Sequence, residues 1–162
     1  MKSKGFHTLL KAWLRLAQSG DRILWITGYP ISEDKKTLAL IQKTTARTDI
    51  VWLGTVDQQA IAKIYRAVNT VIIPSEVYEI GPLVFHEAIA SGCKVISSDI
   101  GGCKELAAYY AERSVTFKAG NDEDLSIKII NPDTNKAILS QKEVLNFETH
   151  FKRVIAKSHF YN

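Results

Sequence analysis

The sequence predicts an α/β domain organised on a doubly wound parallel sheet. Helical and extended patterns alternate along the chain from residue 6 to residue 118, and the extended segments are apolar on both faces. Strands of that kind are buried on both sides, which in a parallel sheet means helices above and below.

The first element is a helix, because Phe6, Leu9, Leu10, Trp13 and Leu16 with Ala17 recur at helical spacing and share one face. Ser19-Gly20-Asp21 ends it. The run Ile23-Leu24-Trp25-Ile26-Thr27-Gly28 then reads as a short buried strand closed by a glycine. A helix over residues 35–47 precedes a strand at residues 50–53. Ile61, Ile64, Tyr65 and Val68 lie on one face of the next helix, which leads to a strand at residues 70–73. A helix over residues 82–91 leads to a strand at residues 94–97. After a turn at Gly101-Gly102, a short helix over residues 105–110 precedes a last strand at residues 114–118. From Asp122 no strand is expected; Val144, Phe147, Phe151, Val154 and Ile155 mark one helical face, so residues 122–162 read as a mostly helical tail of a single domain over residues 1–162. A βα unit begins with its strand, yet this chain opens on a helix. The first strand of the sheet is therefore expected to be missing, or to come from elsewhere.

Composition narrows the class of protein. A chain of 162 residues with 46% hydrophobic residues is one domain long and can bury a core. The net charge of +4 suits an anionic ligand or surface. Lysines and arginines are scattered without interleaved aromatics, so nucleic acid is not an expected partner. Cys93 and Cys103 form neither a CxxC pair nor a metal spacing and read as buried free thiols of a reducing compartment. The first apolar stretch carries Lys11 and Arg15, so it is neither a signal peptide nor a span, and a cytoplasmic location is expected.

In doubly wound sheets ligands bind beyond the carboxyl ends of the strands. The loop after the strand at residues 70–73 opens the most informative segment, which runs from Pro74-Ser75 through Glu79 and Pro82 to Glu87-Ala88-Ile89-Ala90-Ser91-Gly92. Pro82 suits the first position of a helix. That helix is apolar nearly all round, so it is expected to be buried, with Glu87 inside it. A buried carboxylate needs partners. A ribose diol can supply them, as can a structural ion pair or an edge position reaching water. Glu79, in the preceding loop, faces the same cleft from another depth or caps the helix. Between the two carboxylates, the helix N-terminus near Leu83 and Val84 is an anion site suited to phosphate.

The spacing Glu79-x7-Glu87 resembles the signature of the retaining glycosyltransferases called family four, or group one, which have the two-domain GT-B fold. Lys4-Gly5, Ile26-Thr27-Gly28, the stretch from Val51 to Val56, Pro74-Ser75, and Asp99-Ile100-Gly101-Gly102 with Glu105 fall in the same order as in that family. The resemblance covers about residues 4 to 155 and implies the Rossmann-like, donor-binding C-terminal half of such an enzyme. It further implies retaining transfer of a hexosyl group from a nucleotide-diphosphate sugar (UDP or GDP) to an acceptor hydroxyl, without metal or other cofactor. By that resemblance Glu79 and the N–H of Gly81 bind the donor sugar, and Glu87 binds the ribose. Lys4 and the N–H groups of Leu83 and Val84 hold the diphosphate, and Thr55 and Val56 meet the base through their backbone. Lys4 and Glu79 are the implied catalytic pair.

Pro82 stands where the family usually has a second glycine, and Gly28-Tyr29-Pro30 replaces a common G-x-G. An arginine that normally precedes the lysine has no counterpart. Partners implied are the nucleotide-sugar and a missing N-terminal acceptor domain, through which the protein would touch the inner face of a membrane peripherally. Two other classes stay open: a nucleotide-binding α/β module without catalysis, and a sugar-nucleotide epimerase or phosphorylase on the same architecture. His7 reads as a surface residue and His86 as a packing or polar-edge residue, while His150 and His159 fall in the terminal helix.

Overall fold

The computed structural model describes residues 4–132. The expected terminal helix, with His150 and His159, lies outside the described residues.

Helices and strands alternate throughout. The order is α1 (Phe6–Arg15), β1 (Leu24–Ile26), α2 (Lys35–Thr44), β2 (Ile50–Trp52), α3 (Gln58–Ala67), β3 (Thr70–Ile73), α4 (Leu83–Ala90), β4 (Lys94–Ser98), α5 (Gly101–Tyr109), β5 (Ser114–Phe117) and α6 (Asp122–Ile130). Every strand pairing is parallel. The strands divide into a two-stranded sheet, β1-β2, and a three-stranded sheet, β3-β4-β5, instead of one continuous sheet. Among the described residues no strand precedes α1.

Two cores lie on opposite faces. Val95 and Ile96 are neighbours on β4, and successive strand residues point to opposite sides. Ile96 joins the core formed with Leu10 and Trp13 of α1, Ile41 of α2, Phe117 of β5 and Leu125 of α6. Val95 joins the other, with Phe85, Ala88 and Ile89 of α4 and Cys103 and Ala107 of α5. Helices therefore cover both faces, as a doubly wound α/β architecture requires.

Two expectations change in detail. Gly101 and Gly102 open α5 instead of standing as a turn before it, although Gly101 keeps a left-handed φ of 55°. The helix α4 is not buried all round: Phe85, Ala88 and Ile89 are, whereas Leu83 and Val84 are 63% and 43% exposed. Its first turn projects past the strand ends, where no second layer covers it. Cys93 and Cys103 are buried free thiols, and burial pushes the Cys103 thiol up to about 11. Among the described residues no helix is long and apolar enough to cross a membrane.

Candidate functional site

The helix N-termini differ in how they are capped. Asp34, Asp57 and Asn121 cap α2, α3 and α6 with side-chain oxygens. No side chain caps α1, α4 or α5, which start after Gly5, Pro82 and Ile100. All three uncapped ends meet the segment over residues 74–82. Gly5 lies so close to Pro74 that an added Cβ would fall 1.6 Å from the Pro74 carbonyl oxygen. Gly102 of α5 donates its N–H to the Glu79 carbonyl at 2.6 Å. Pro82 begins α4 itself. The first N–H groups of a helix have no partner within it and carry the positive end of the dipole. Three such ends converge on one loop, so their dipoles reach the carboxylates Glu76 and Glu79 and the Lys4 ammonium beside it.

The side chains of the loop meet this field. Lys4 Nζ donates to Glu79 Oε1 at 2.5 Å, and Ser75 Oγ donates to the same oxygen at 2.8 Å. The Lys4 ammonium, then the Ser75 hydroxyl, hold the Glu79 carboxyl below its usual range. Glu79 is therefore an ionised acceptor at neutral pH, and one of its oxygens already has two donors. The loop keeps its shape by close packing, since a Cβ on Gly102 would fall 2.5 Å from the Ile80 carbonyl oxygen.

Glu87 lies just over one turn into α4 and is half-buried, not fully enclosed. Its Oε2 accepts from the Tyr65 hydroxyl of α3 at 3.0 Å. Burial, followed by the neighbouring Glu87 carboxylate, pushes the Tyr65 phenol above its ordinary value, so it remains a donor. This partner was not foreseen: Tyr65 reads in the sequence as one more apolar-face residue of its helix. The second strand-end loop lies apart, where Gly54 with φ +68° accepts from the N–H of Gly28 at 2.7 Å. Thr55, which follows, is exposed, and Val56 is half-buried.

Glu76 was also missed. Its Oε1 accepts from Thr8 Oγ1 at 2.5 Å and lies 3.5 Å from His7 Nε2. His7 is half-buried with Nδ1 enclosed, which corrects its reading as a surface residue. The ring lies between α1 and the loop, with Thr8 Oγ1 3.4 Å and Glu76 Oε1 3.5 Å from its Nε2. Among the described residues no cluster of His, Cys, Asp and Glu has the geometry of a metal site.

Parallel strands layered between helices, with helix N-termini gathered beyond a strand end, are the arrangement that nucleotide-binding α/β domains share. Residues 1–142 match the family model described as glycosyl transferases group 1, and the chain belongs to that family. It is 32% identical over 105 residues to an uncharacterized glycosyltransferase, MJ1607, of Methanocaldococcus jannaschii, a match covering 64% of this chain and 26% of that protein. HepE of Anabaena, solved in complex with UDP, has a TM-score of 0.68 and 18% identity, covering 97% of this chain and 46% of that one. Sucrose-phosphate synthase of Thermosynechococcus elongatus has a TM-score of 0.68 and 23% identity, covering 99% of this chain and 43% of that one. The chain thus spans half or less of the length of the proteins it matches.

Proposed function

We propose that this chain is the donor-binding half of a retaining, nucleotide-sugar-dependent glycosyltransferase. The observation that carries the reading is the meeting of three uncapped helix N-termini and Lys4 around Glu79. A diphosphate needs positive charge and N–H donors; the sugar next to it needs carboxylate and carbonyl acceptors for its hydroxyls. Lys4 and Glu79 touch each other, so a diphosphate and its sugar would share the two. HepE, solved with UDP-glucose, has the same fold. The family leaves UDP and GDP both open, and the ligands of HepE are what favours a UDP-type donor.

In this reading Lys4 and the N–H groups of Leu83 and Val84 receive the diphosphate. Its charge grows as the glycosidic bond breaks, and preorganised donors stabilise the leaving group without a metal. Glu79 and the N–H of Gly81 orient the sugar. Glu87, held in place by Tyr65, accepts from the ribose hydroxyls, while Thr55 and Val56 border the base. The acceptor side belongs to a second domain outside these residues. The whole enzyme would act in the cytoplasm, meeting the inner face of a membrane through that domain.

Calorimetry with UDP, GDP, ADP and UDP-glucose tests the assignment. Glu87→Gln is expected to weaken binding of the bare nucleotide diphosphate by about 1.5–3 kcal/mol, the worth of a hydrogen bond to a charged group. Glu79→Ala should leave the bare diphosphate nearly unchanged and weaken the nucleotide-sugar. Equal losses for both ligands in Glu79→Ala would remove Glu79 from the sugar. Unchanged affinity in folded Glu87→Gln would remove Glu87 from the ribose.

A further inference from the structure

The loops that follow β1 and β2 are locked to each other. Leu53 donates its N–H to the Ile26 carbonyl at 2.9 Å, and Gly28 donates to the Gly54 carbonyl at 2.7 Å. Pairing thus continues two residues beyond each strand. Gly28 and Gly54 hold φ of +111° and +68°, conformations in which a side chain would be strained.

Tyr29 leaves from this anchored backbone. The residue before a proline is confined to extended conformations, and Pro30 has its own φ fixed by its ring. The Ile31 N–H then closes back on the Tyr29 carbonyl at 2.8 Å, a three-residue turn with the proline at its centre. The aromatic ring leans on Gly54 with its hydroxyl end. A Cβ on Gly54 would fall 3.4 Å from Tyr29 Cε1, 3.5 Å from Cζ and 3.6 Å from Oη. Tyr29 is nevertheless 61% exposed, so most of the ring faces solvent.

A rigidly mounted, solvent-facing aromatic ring has little to gain for folding, since it buries almost nothing. It has much to offer a flat ligand, because the entropy of ordering the platform has been settled in advance. Its place says which ligand. The ring stands beyond the carboxyl ends of β1 and β2, where sheets of this kind bind ligands. It overhangs Gly54, the residue directly ahead of Thr55 and Val56. Pro30, which stiffens the mount, stands where the related sequences commonly have the second glycine of G-x-G, so this mount is a feature of the present chain. Tyr109 is as exposed as Tyr29, but it lies at the other end of the sheet, before β5, and packs edge-on against Tyr110.

We infer that Tyr29 is the platform on which the donor's nucleobase stacks, with the edge of the base turned to the backbone of Thr55 and Val56. The inference rests on the nucleotide-sugar reading above and adds to it a side chain that holds the base. Stacking does not read the edge of a base, so Tyr29 contributes affinity for uracil, guanine or adenine alike. The choice among them is left to the loop backbone.

The 162-residue chain and its Tyr29→Ala and Tyr29→Phe variants are titrated with UDP, GDP and ADP, and with inorganic pyrophosphate as a base-free probe. The ring resonances of isotope-labelled tyrosine are followed by NMR in the same samples. Because the side chain is exposed, both variants are expected to keep the fold and the melting midpoint. Tyr29→Ala should weaken the tightest of the three nucleotides by about fivefold to a hundredfold, the worth of one base on an aromatic ring, and leave pyrophosphate unchanged. Tyr29→Phe should stay within about twofold of the unmodified chain, because the ring and not the hydroxyl stacks. The Tyr29 resonances, identified by their loss in Tyr29→Phe, should move upfield with the nucleotide and stay in place with pyrophosphate. Unchanged nucleotide affinity in Tyr29→Ala, with resonances that do not move, overturns the inference and leaves the nucleotide-sugar reading standing. An equal loss for pyrophosphate overturns it in favour of a loop that only shapes the phosphate site. A loss as large in Tyr29→Phe replaces stacking by a hydrogen bond from the hydroxyl. If none of the three nucleotides binds the unmodified chain, the inference falls together with the function on which it rests.

Discussion

At the scale of single residues, charge is placed where it ties elements together as well as where it can meet a ligand. Asp49 is buried at the start of β2, yet it is fully used. Arg47 donates to it through Nε at 2.7 Å and Nη2 at 2.6 Å, and Trp13 Nε1 donates at 3.2 Å. Arg47 also reaches the Leu16 carbonyl at 2.9 Å, so one ion pair links α1 to the edge sheet. The Arg47 guanidinium holds the Asp49 carboxyl below its usual range against the opposing effect of burial. Removing one member of a buried pair strands the other, and Asp49→Asn is expected to cost about 3 kcal/mol at pH 7. A carboxylate with a depressed folded pKa contributes its stability above the unfolded value, about 3.9, and loses it as pH falls through the folded one. The gap between wild type and Asp49→Asn should therefore be full at pH 7 and shrink below about pH 4. Denaturant titrations at pH 7 and pH 3 measure it, and a gap that widens in acid would contradict the assignment.

At the scale of elements, the loop over residues 74–82 is held from outside by helix starts rather than by its own turns. Gly102 shows how tightly. A Cβ there would fall 2.5 Å from the Ile80 carbonyl oxygen and 2.8 Å from that of Glu79, both backbone atoms with no side-chain freedom to yield. Gly102→Ala is expected to push the loop outward, weaken the Gly102–Glu79 hydrogen bond, and cost about 1–3 kcal/mol of stability. Gly20→Ala, where a Cβ meets nothing within 4 Å, is the control and should be near neutral. Thermal denaturation compares them, and equal midpoints would show that the loop can move freely.

Much of this arrangement was legible in the sequence. Periodicity located the helices and strands because each helix carries an apolar stripe and each strand an apolar run. The carboxylates of the cleft stood out because Glu87 interrupts an apolar helix. The start of α5 was only partly legible: two glycines read as a turn, and only the backbone of Glu79 and Ile80 shows why neither position has room for a side chain. The exposure of Leu83 and Val84 was hidden for a related reason, since hydropathy cannot show that a first turn projects beyond its sheet. The Tyr65–Glu87 and Thr8–Glu76 pairs, 22 and 68 residues apart, exist only through tertiary packing.

At the scale of the whole molecule, the proposed function makes this chain one wall of a cleft. Glu79, Lys4 and the α4 N-terminus lie on the open side of the domain, with Leu83 and Val84 exposed and Ile80 and Tyr78 fully or largely exposed around them. Such a surface can bind a nucleotide-sugar, but it cannot exclude water from the reacting bond or hold an acceptor hydroxyl against it. Orientation of two reactants in one site accounts for about 7–11 kcal/mol of a barrier, and that share needs both walls. The isolated chain is therefore expected to bind the nucleotide-sugar and to leave acceptors unglycosylated. A transfer assay with labelled nucleotide-sugar, run on the chain and on a protein joining it to an acceptor domain, tests this. Transfer by the joined protein alone is the expected result. Transfer by the isolated chain at a comparable rate would mean that one wall suffices, and the two-wall account of catalysis would fall.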